Sequence, residues 1–286
     1  MIGKFIKSIL GKKRLKAYLN DERLYRLDKE DEFKDYPFGR VPLATKEEYL
    51  KIWNIARNEE YPIIDNIEKE LGYAIEKEWL DNLALITQCT KKTSKIIYQH
   101  GRLLYAYLRS YLEKNKDISS VNVFETGTAR GFSALCMAKA LEDHNRHGKI
   151  ITCDILPHEI PMYWNCIADH EGPQTRQDLL VDYLDLITKY IMFFNGDTRM
   201  NIDRINWSRI HFAFLDGGHE YKDVMMEFDY LKHRQNPGDM IFFDDYSIDQ
   251  FPGIVKAVDE IVSINKYQKR IIHGNEQRTY VHAMKL

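Results

Sequence analysis

From Val121 onward the chain alternates short apolar runs with helix-length intervals, and most of the runs stop abruptly at an acidic residue. Apolar runs without helical periodicity are what strands covered on both faces of a parallel sheet look like, and the helical intervals are the crossovers such a sheet needs. The predicted strands are Val121 to Glu125, Lys149 to Cys153, Ile191 to Asn195, Ile210 to Leu215 and Met240 to Phe243. Phe132 to Leu141 reads as the first crossover helix. Lys222 to Arg234 carries Val224, Met225, Phe228 and Leu231 at helical spacing, and Asn236-Pro-Gly-Asp239 turns the chain back. The expected fold class is α/β, a Rossmann-like, doubly wound, mostly parallel sheet with a helical N-terminal extension.

Ligands of such sheets bind beyond the carboxyl ends of the strands. Phe214-Leu-Asp-Gly-Gly-His219 and Ile241-Phe-Phe-Asp-Asp-Tyr246 end two of these strands, so Asp216, Asp244 and Asp245 are expected to converge there. Three carboxylates in one place repel one another unless a cation lies between them. An all-oxygen set favours Mg2+, and His219 nearby also admits Mn2+ or another transition metal. Each Asp has a plainer reading as a helix cap or a binder of loop amides. Gly217 and Gly218, which let backbone approach a ligand closely, weigh toward a site.

The first strand runs into Thr126-Gly-Thr-Ala-Arg-Gly131. Gly127 permits a tight turn, Gly131 permits a ligand near the backbone, and Ser133 lies in the first helical turn, where free amides favour an anion. The second strand ends at Asp154, placed to accept both hydroxyls of a ribose. The third ends at Gly196-Asp-Thr198. A glycine turn with a ribose acid can serve NAD, FAD or S-adenosylmethionine. The middle glycine that lets a pyrophosphate approach is missing, and Glu125 would repel a pyrophosphate, so S-adenosylmethionine is the expected cofactor.

Glu125-Thr-Gly-Thr-Ala-Arg-Gly-Phe-Ser133, Asp154, Gly196-Asp-Thr198, Leu215-Asp-Gly-Gly-His219 and Phe243-Asp-Asp-Tyr246 through Pro252-Gly253 resemble class I S-adenosylmethionine-dependent methyltransferases. The pattern is closest to the metal-dependent macrocin-type sugar O-methyltransferases and more distantly similar to catechol O-methyltransferase. The resemblance covers Val121 to Leu286 and implies a seven-stranded sheet closing with an antiparallel pair, Lys269 to His273 and Arg278 to Lys285. It also implies that Glu125, Gly127 and Ser133, in one loop with Thr128, Gly131 and Phe132, hold the amino-acid end of the cofactor. Asp154 would take the ribose, Asp197 and Thr198 the adenine, and Asp216 would border the cofactor as well as the metal. Asp216, Asp244 and Asp245 would be the metal ligands. His219 stands where catechol O-methyltransferase has a lysine base, and a histidine near neutral pKa can take the proton of a hydroxyl. The implied activity is O-methylation of a small molecule, with a sugar or glycosylated natural product as the expected substrate. N-methylation of an amide or amine, and a hydroxylase on the same scaffold, are the alternatives.

Composition narrows the partners. Lys+Arg number 41 against Asp+Glu 43, a net charge of -2, so no global basic surface invites a nucleic acid. Cys89, Cys136, Cys153 and Cys166 show no C-x-x-C spacing, which suits buried thiols without a disulfide or structural zinc. No run approaches a membrane span and no signal-peptide pattern opens the chain, so a cytoplasmic location is expected.

Three regions are expected: 1–40, 41–118 and 119–286. In the first, Ile2, Phe5, Ile6, Ile9 and Leu10 form an apolar stripe among lysines, a pattern for weak membrane-surface contact or for docking on this chain or on a second subunit of a homo-oligomer. Asp21 to Arg40 reads as a linker or ordered loop. The second is a helical cap, opening with a capping box at Thr45-Lys-Glu-Glu48 and continuing with a helix begun by Pro62 and a long one over Thr93 to Glu113. Tyr163, Trp164 and His158 are candidates for a sugar-stacking lid.

Overall fold

The computed structural model describes residues 37–275 and 278–286. The apolar stripe at residues 1–20 and the linker up to residue 36 lie outside the described residues.

Among the described residues four helices precede the sheet: α1 (Lys46–Arg57), α2 (Pro62–Leu71), α3 (Lys77–Thr87) and α4 (His100–Lys114). Thr45 caps α1 as the sequence requires, its hydroxyl accepting from Glu48 N at 3.2 Å while the Glu48 carboxylate accepts from Thr45 N at 2.8 Å. Pro62 opens α2. The long helix expected from Thr93 begins only at His100. The β-branched pair Ile96-Ile97 is a poor helix former, and with Tyr98 it is buried in an irregular segment whose Tyr98 hydroxyl donates to Asp81 at 2.7 Å. Helix α3 was not expected from the sequence.

The strands are β1 (Ser120–Thr126), β2 (His147–Asp154), β3 (Ile191–Asn195), β4 (Phe212–Leu215), β5 (Met240–Phe243), β6 (Tyr267–Asn275) and β7 (Arg278–Lys285). They form one sheet in the order β3-β2-β1-β4-β5-β7-β6, parallel except for β7, which pairs antiparallel with both neighbours. The connecting helices are α5 (Phe132–Asp143), α6 (Arg176–Leu179), α7 (Leu184–Tyr190), α8 (Thr198–Asn201), α9 (Tyr221–Leu231) and α10 (Pro252–Ile264). Val123, Phe212, Phe214 and Phe242 face one apolar core shared with α4 and α5, while Phe124, Ala213, Leu215, Ile241 and Phe243 face a second shared with α9 and α10. Burial on both faces is why these strands lack polar alternation.

Register levels the carboxyl ends. Thr126 lies beside Cys153 and Leu215, and Leu215 beside Phe243, so Gly127, Asp154, Asp216 and Asp244 emerge along one edge. β1 has its crossover partner β2 on one side and β4 on the other, which opens a crevice at that edge between the β1 and β4 loops. No described helix is long and apolar enough to cross a membrane.

Candidate active site

A cleft of about 460 Å³ occupies the crevice, lined by Gly127, Ala129, Asp154, Asp197, Thr198 and Asp216 together with Cys153, Ile155, Leu156, Met226 and Glu227. Pro37 and Phe38 line one side, so the end of the segment read as a linker or ordered loop contributes to a wall. Gly127 has φ of +86°, and a Cβ there would stand 2.0 Å from the Asp216 carbonyl oxygen. Its role is contact between two loop backbones as well as a turn.

Ala129 occupies the place of the missing middle glycine and still takes a positive φ of 44°. Three bonds hold it there. Its amide donates to Asp154 Oδ2 at 2.5 Å, Asp154 Oδ1 accepts from Leu156 N at 2.7 Å, and the Ala129 carbonyl accepts from Arg176 Nε at 2.9 Å. Arg176, only 2% exposed, also donates to Leu156 O at 3.2 Å, so one guanidinium ties together the two loops that wall the cleft. Nothing in the sequence marks Arg176, because it lies in the irregular crossover between β2 and β3.

Other predicted cofactor residues lie behind the loop rather than along the cleft. Glu125, Thr128, Phe132 and Ser133 are buried. Glu125 accepts from the Thr152 hydroxyl, its second oxygen has no partner, and burial pushes its carboxyl up to about 7. Gly131 does not border the ligand space; its missing Cβ faces Leu180 at 2.9 Å. Asp197 gives both carboxylate oxygens to Arg199, at 2.6 to 3.0 Å. Trp164 is buried and donates to Gln174 O at 2.8 Å, so it belongs to the core and not to a lid, and His158 stacks on Phe193 at 4.1 Å.

The acidic cluster adjoins the cleft through Asp216. Ligand atoms of Asp216, His219 and Asp245 lie within 4.8 Å of one another. Asp245 has φ of +55°, a conformation that costs a non-glycine residue about 1–3 kcal/mol, and its amide donates to Asp244 Oδ1 at 2.7 Å. His219 Nε2 is 3.4 Å from Asp245 Oδ2, and its ring lies 4.6 Å from Phe251. Arg278 Nη1 engages both neighbouring carboxylates, lying 3.3 Å from Asp244 Oδ2 and bonding Asp245 Oδ1. The topology explains Arg278, since β7 runs antiparallel beside β5 and so begins where β5 ends.

Burial, and after it the charges of Asp244 and Asp245, hold the Asp216 carboxyl well above the ordinary range. Burial likewise lifts Asp244 to about 6 against the opposing pull of Arg278. Three carboxylates face the Arg278 guanidinium and the Lys92 ammonium, which still leaves negative charge in excess, and two carboxylates with an imidazole are a donor set that suits a divalent ion. A second cavity, of about 440 Å³, lies among α1, α2, α3 and the start of α4. Within it Arg102 pairs with Asp65 and Glu68 and Lys77 with Asp81, and it lies apart from the strand ends.

Residues 124–246 match the sequence model of a methyltransferase domain. A search of the curated proteins found no match to the chain. Among solved structures the O-methyltransferase NovP is similar at 14% identity, over 73% of this chain and 98% of its own, with a TM-score of 0.53. The O-methyltransferase TomG from Streptomyces achromogenes, involved in tomaymycin synthesis, is 13% identical over 74% and 92%, with a TM-score of 0.49. An O-methyltransferase from Bacillus cereus in complex with SAH is 14% identical over 80% and 93%, with a TM-score of 0.48. The likeness to NovP is one of fold, and the matched segment runs from the glycine loop to the acidic cluster. Residues 124–246 therefore resemble a methyltransferase domain, set in a sheet whose fold is shared with NovP.

Proposed function

We propose that the protein transfers the methyl group of S-adenosylmethionine to a hydroxyl of a small molecule, a sugar or a glycosylated natural product, with a divalent ion at the acidic cluster. One observation carries this reading: Asp216 borders both the cleft and the cluster, so donor and acceptor halves meet at one residue. Cofactor in the cleft would meet Gly127 and Ala129 on one side, Asp154 at its ribose, and Thr198 with Asp197 farther along. Asp216, Asp244 and Asp245 would hold the ion, Mg2+ or Mn2+, which when bound supplies Lewis acidity toward neighbouring substrate hydroxyls. His219, half exposed and with Nε2 beside Asp245 Oδ2, takes the hydroxyl proton at its other ring nitrogen, Nδ1, and the cleft fixes the acceptor in line with the methyl carbon.

The geometry also favours a second role for His219. It shares the 4.8 Å donor set with Asp216 and Asp245, a set that does not include Asp244. His219→Ala separates the two: loss of Mn2+ affinity marks a ligand, and retained affinity with a lowered rate and an altered pH profile marks the base.

The proposal is tested with methyl-labelled S-adenosylmethionine and a panel of nucleotide sugars, glycosides and free vicinal diols. Label should enter an acceptor hydroxyl, and EDTA or Asp245→Ala should abolish transfer while cofactor binding survives. Full activity in EDTA contradicts the metal, and label on nitrogen contradicts the hydroxyl.

A further inference from the structure

We propose that Glu227 recognises the adenine edge of the cofactor, its carboxyl pairing with the amino group and the ring nitrogen beside it. The inference rests on the assignment of S-adenosylmethionine to the cleft and goes beyond it, because Glu227 belongs to none of the motifs that point to this cofactor.

Glu227 lies on α9, is 2% exposed and lines the cleft. Its Oε1 stands 2.7 Å from where a Cβ on Gly217 would be, so the carboxyl sits beneath the first glycine after Asp216. Among the described residues no ion pair holds it. Its neighbour Thr126 is fully buried, and the Thr126 hydroxyl has no hydrogen-bond partner at bonding distance. A buried carboxyl whose polar contact is this single hydroxyl has hydrogen-bonding capacity to spare, which a ligand or water can complete.

The titratable groups facing Glu227 are Asp223 on its own helix, Asp197 capping α8, Arg199 on α8 and Cys153 on β2, with Thr126 on β1 as the polar contact. Arg199 is already committed, to Asp197 at 2.6 Å and to Asp223 at 3.5 Å. Burial therefore dominates and pushes the Glu227 carboxyl up to about 8, with Asp223 adding to the shift. At neutral pH the group is a carboxylic acid, with one O–H donor and one carbonyl acceptor. An adenine edge offers the complement, an amino donor beside a ring-nitrogen acceptor, the pair that an Asn or Gln amide reads in nucleic acids. Cys153, Ile155, Leu156 and Met226 give the same cleft apolar surface for a flat base, and Ile155 is 37% exposed. Asp197, whose two oxygens are given to Arg199, is less suited to this task.

The test is calorimetric titration of the full chain with S-adenosylhomocysteine from pH 6.5 to 9.5, for wild type, Glu227→Gln and Glu227→Ala. Wild-type affinity should be level below about 8 and fall about tenfold per pH unit above it. Glu227→Gln keeps the donor–acceptor pair, so it should bind close to wild type at pH 7 and lose that fall. Glu227→Ala should weaken binding roughly 10- to 100-fold. An S-adenosylhomocysteine analogue lacking the 6-amino group should lose affinity for wild type and lose little more for Glu227→Ala. Equal affinity of the Ala variant and wild type overturns the proposal, as does an unchanged pH profile in Glu227→Gln. Absence of binding by wild type at every pH overturns the cofactor assignment itself, an outcome distinct from the other two.

Discussion

The α-carbon of Gly127 packs against the carbonyl of Asp216 so closely that a Cβ would come within 2.0 Å of that oxygen. The loop that follows β1 and the loop that follows β4 are thus joined backbone to backbone, and the cleft is continuous with the acidic cluster. Gly127→Ala must separate them while also forcing a side chain into a φ of +86°. The variant is expected to lose about 2–4 kcal/mol of stability and at least tenfold in S-adenosylhomocysteine affinity, read by denaturant unfolding and calorimetry.

Arg176 should matter without touching substrate. Arg176→Met keeps much of the volume but leaves the carbonyls of Ala129 and Leu156 without their donor. A loss of about 2–3 kcal/mol and about tenfold weaker cofactor binding are expected, with kcat at saturation changed much less. A fall in kcat at unchanged affinity would place Arg176 in the chemistry instead.

Glu125 predicts a pH signature. Burial raises its carboxyl from 4.5 to about 7 in the folded chain, so the native state holds a proton that the unfolded state releases. Its contribution is fully present below about 4.5, falls as pH rises toward about 7 and is level above that. The whole step is on the order of 3 kcal/mol. Glu125→Gln should flatten this part of the stability profile and be more stable than wild type at pH 8, as measured by denaturant midpoints across pH.

Arg278 competes with any divalent ion for Asp244 and Asp245. Removing it leaves three carboxylates facing only the Lys92 ammonium among the described residues, so Arg278→Met should be less stable in EDTA and bind Mn2+ more tightly than wild type. Thermal melts with and without Mn2+ measure both effects. A variant whose stability is the same with and without the ion would show that the cluster is held by hydrogen bonds alone.

The alternation after Val121 made the parallel strands readable almost to the residue, because burial on both faces removes every competing pattern; β5 coincides with the predicted Met240 to Phe243. The helical half was less legible. Tertiary packing decided its outcome, as at Ile96 and Ile97, and α3 carries no cap signal strong enough to announce it. In the site, strand-end residues such as Asp154 and Asp216 could be placed because an edge is a property of strand order. Arg176, Glu227 and Arg278 could not, because each reaches the edge from an element whose position depends on long-range packing. Arg278 comes nearest to an exception: as the first residue of a strand antiparallel to β5, it is bound to meet the end of β5 once that pairing is known.

The account stands on one shared residue, Asp216, between cofactor and ion. Mn2+ titration of the full chain saturated with S-adenosylhomocysteine, followed by electron paramagnetic resonance, tests it most directly. The account predicts one tightly held ion per chain in wild type, with Asp245→Ala losing the ion but keeping the cofactor and Asp216→Ala weakening both. Saturable cofactor binding with no bound ion, or an ion retained at full affinity in both variants, would contradict it.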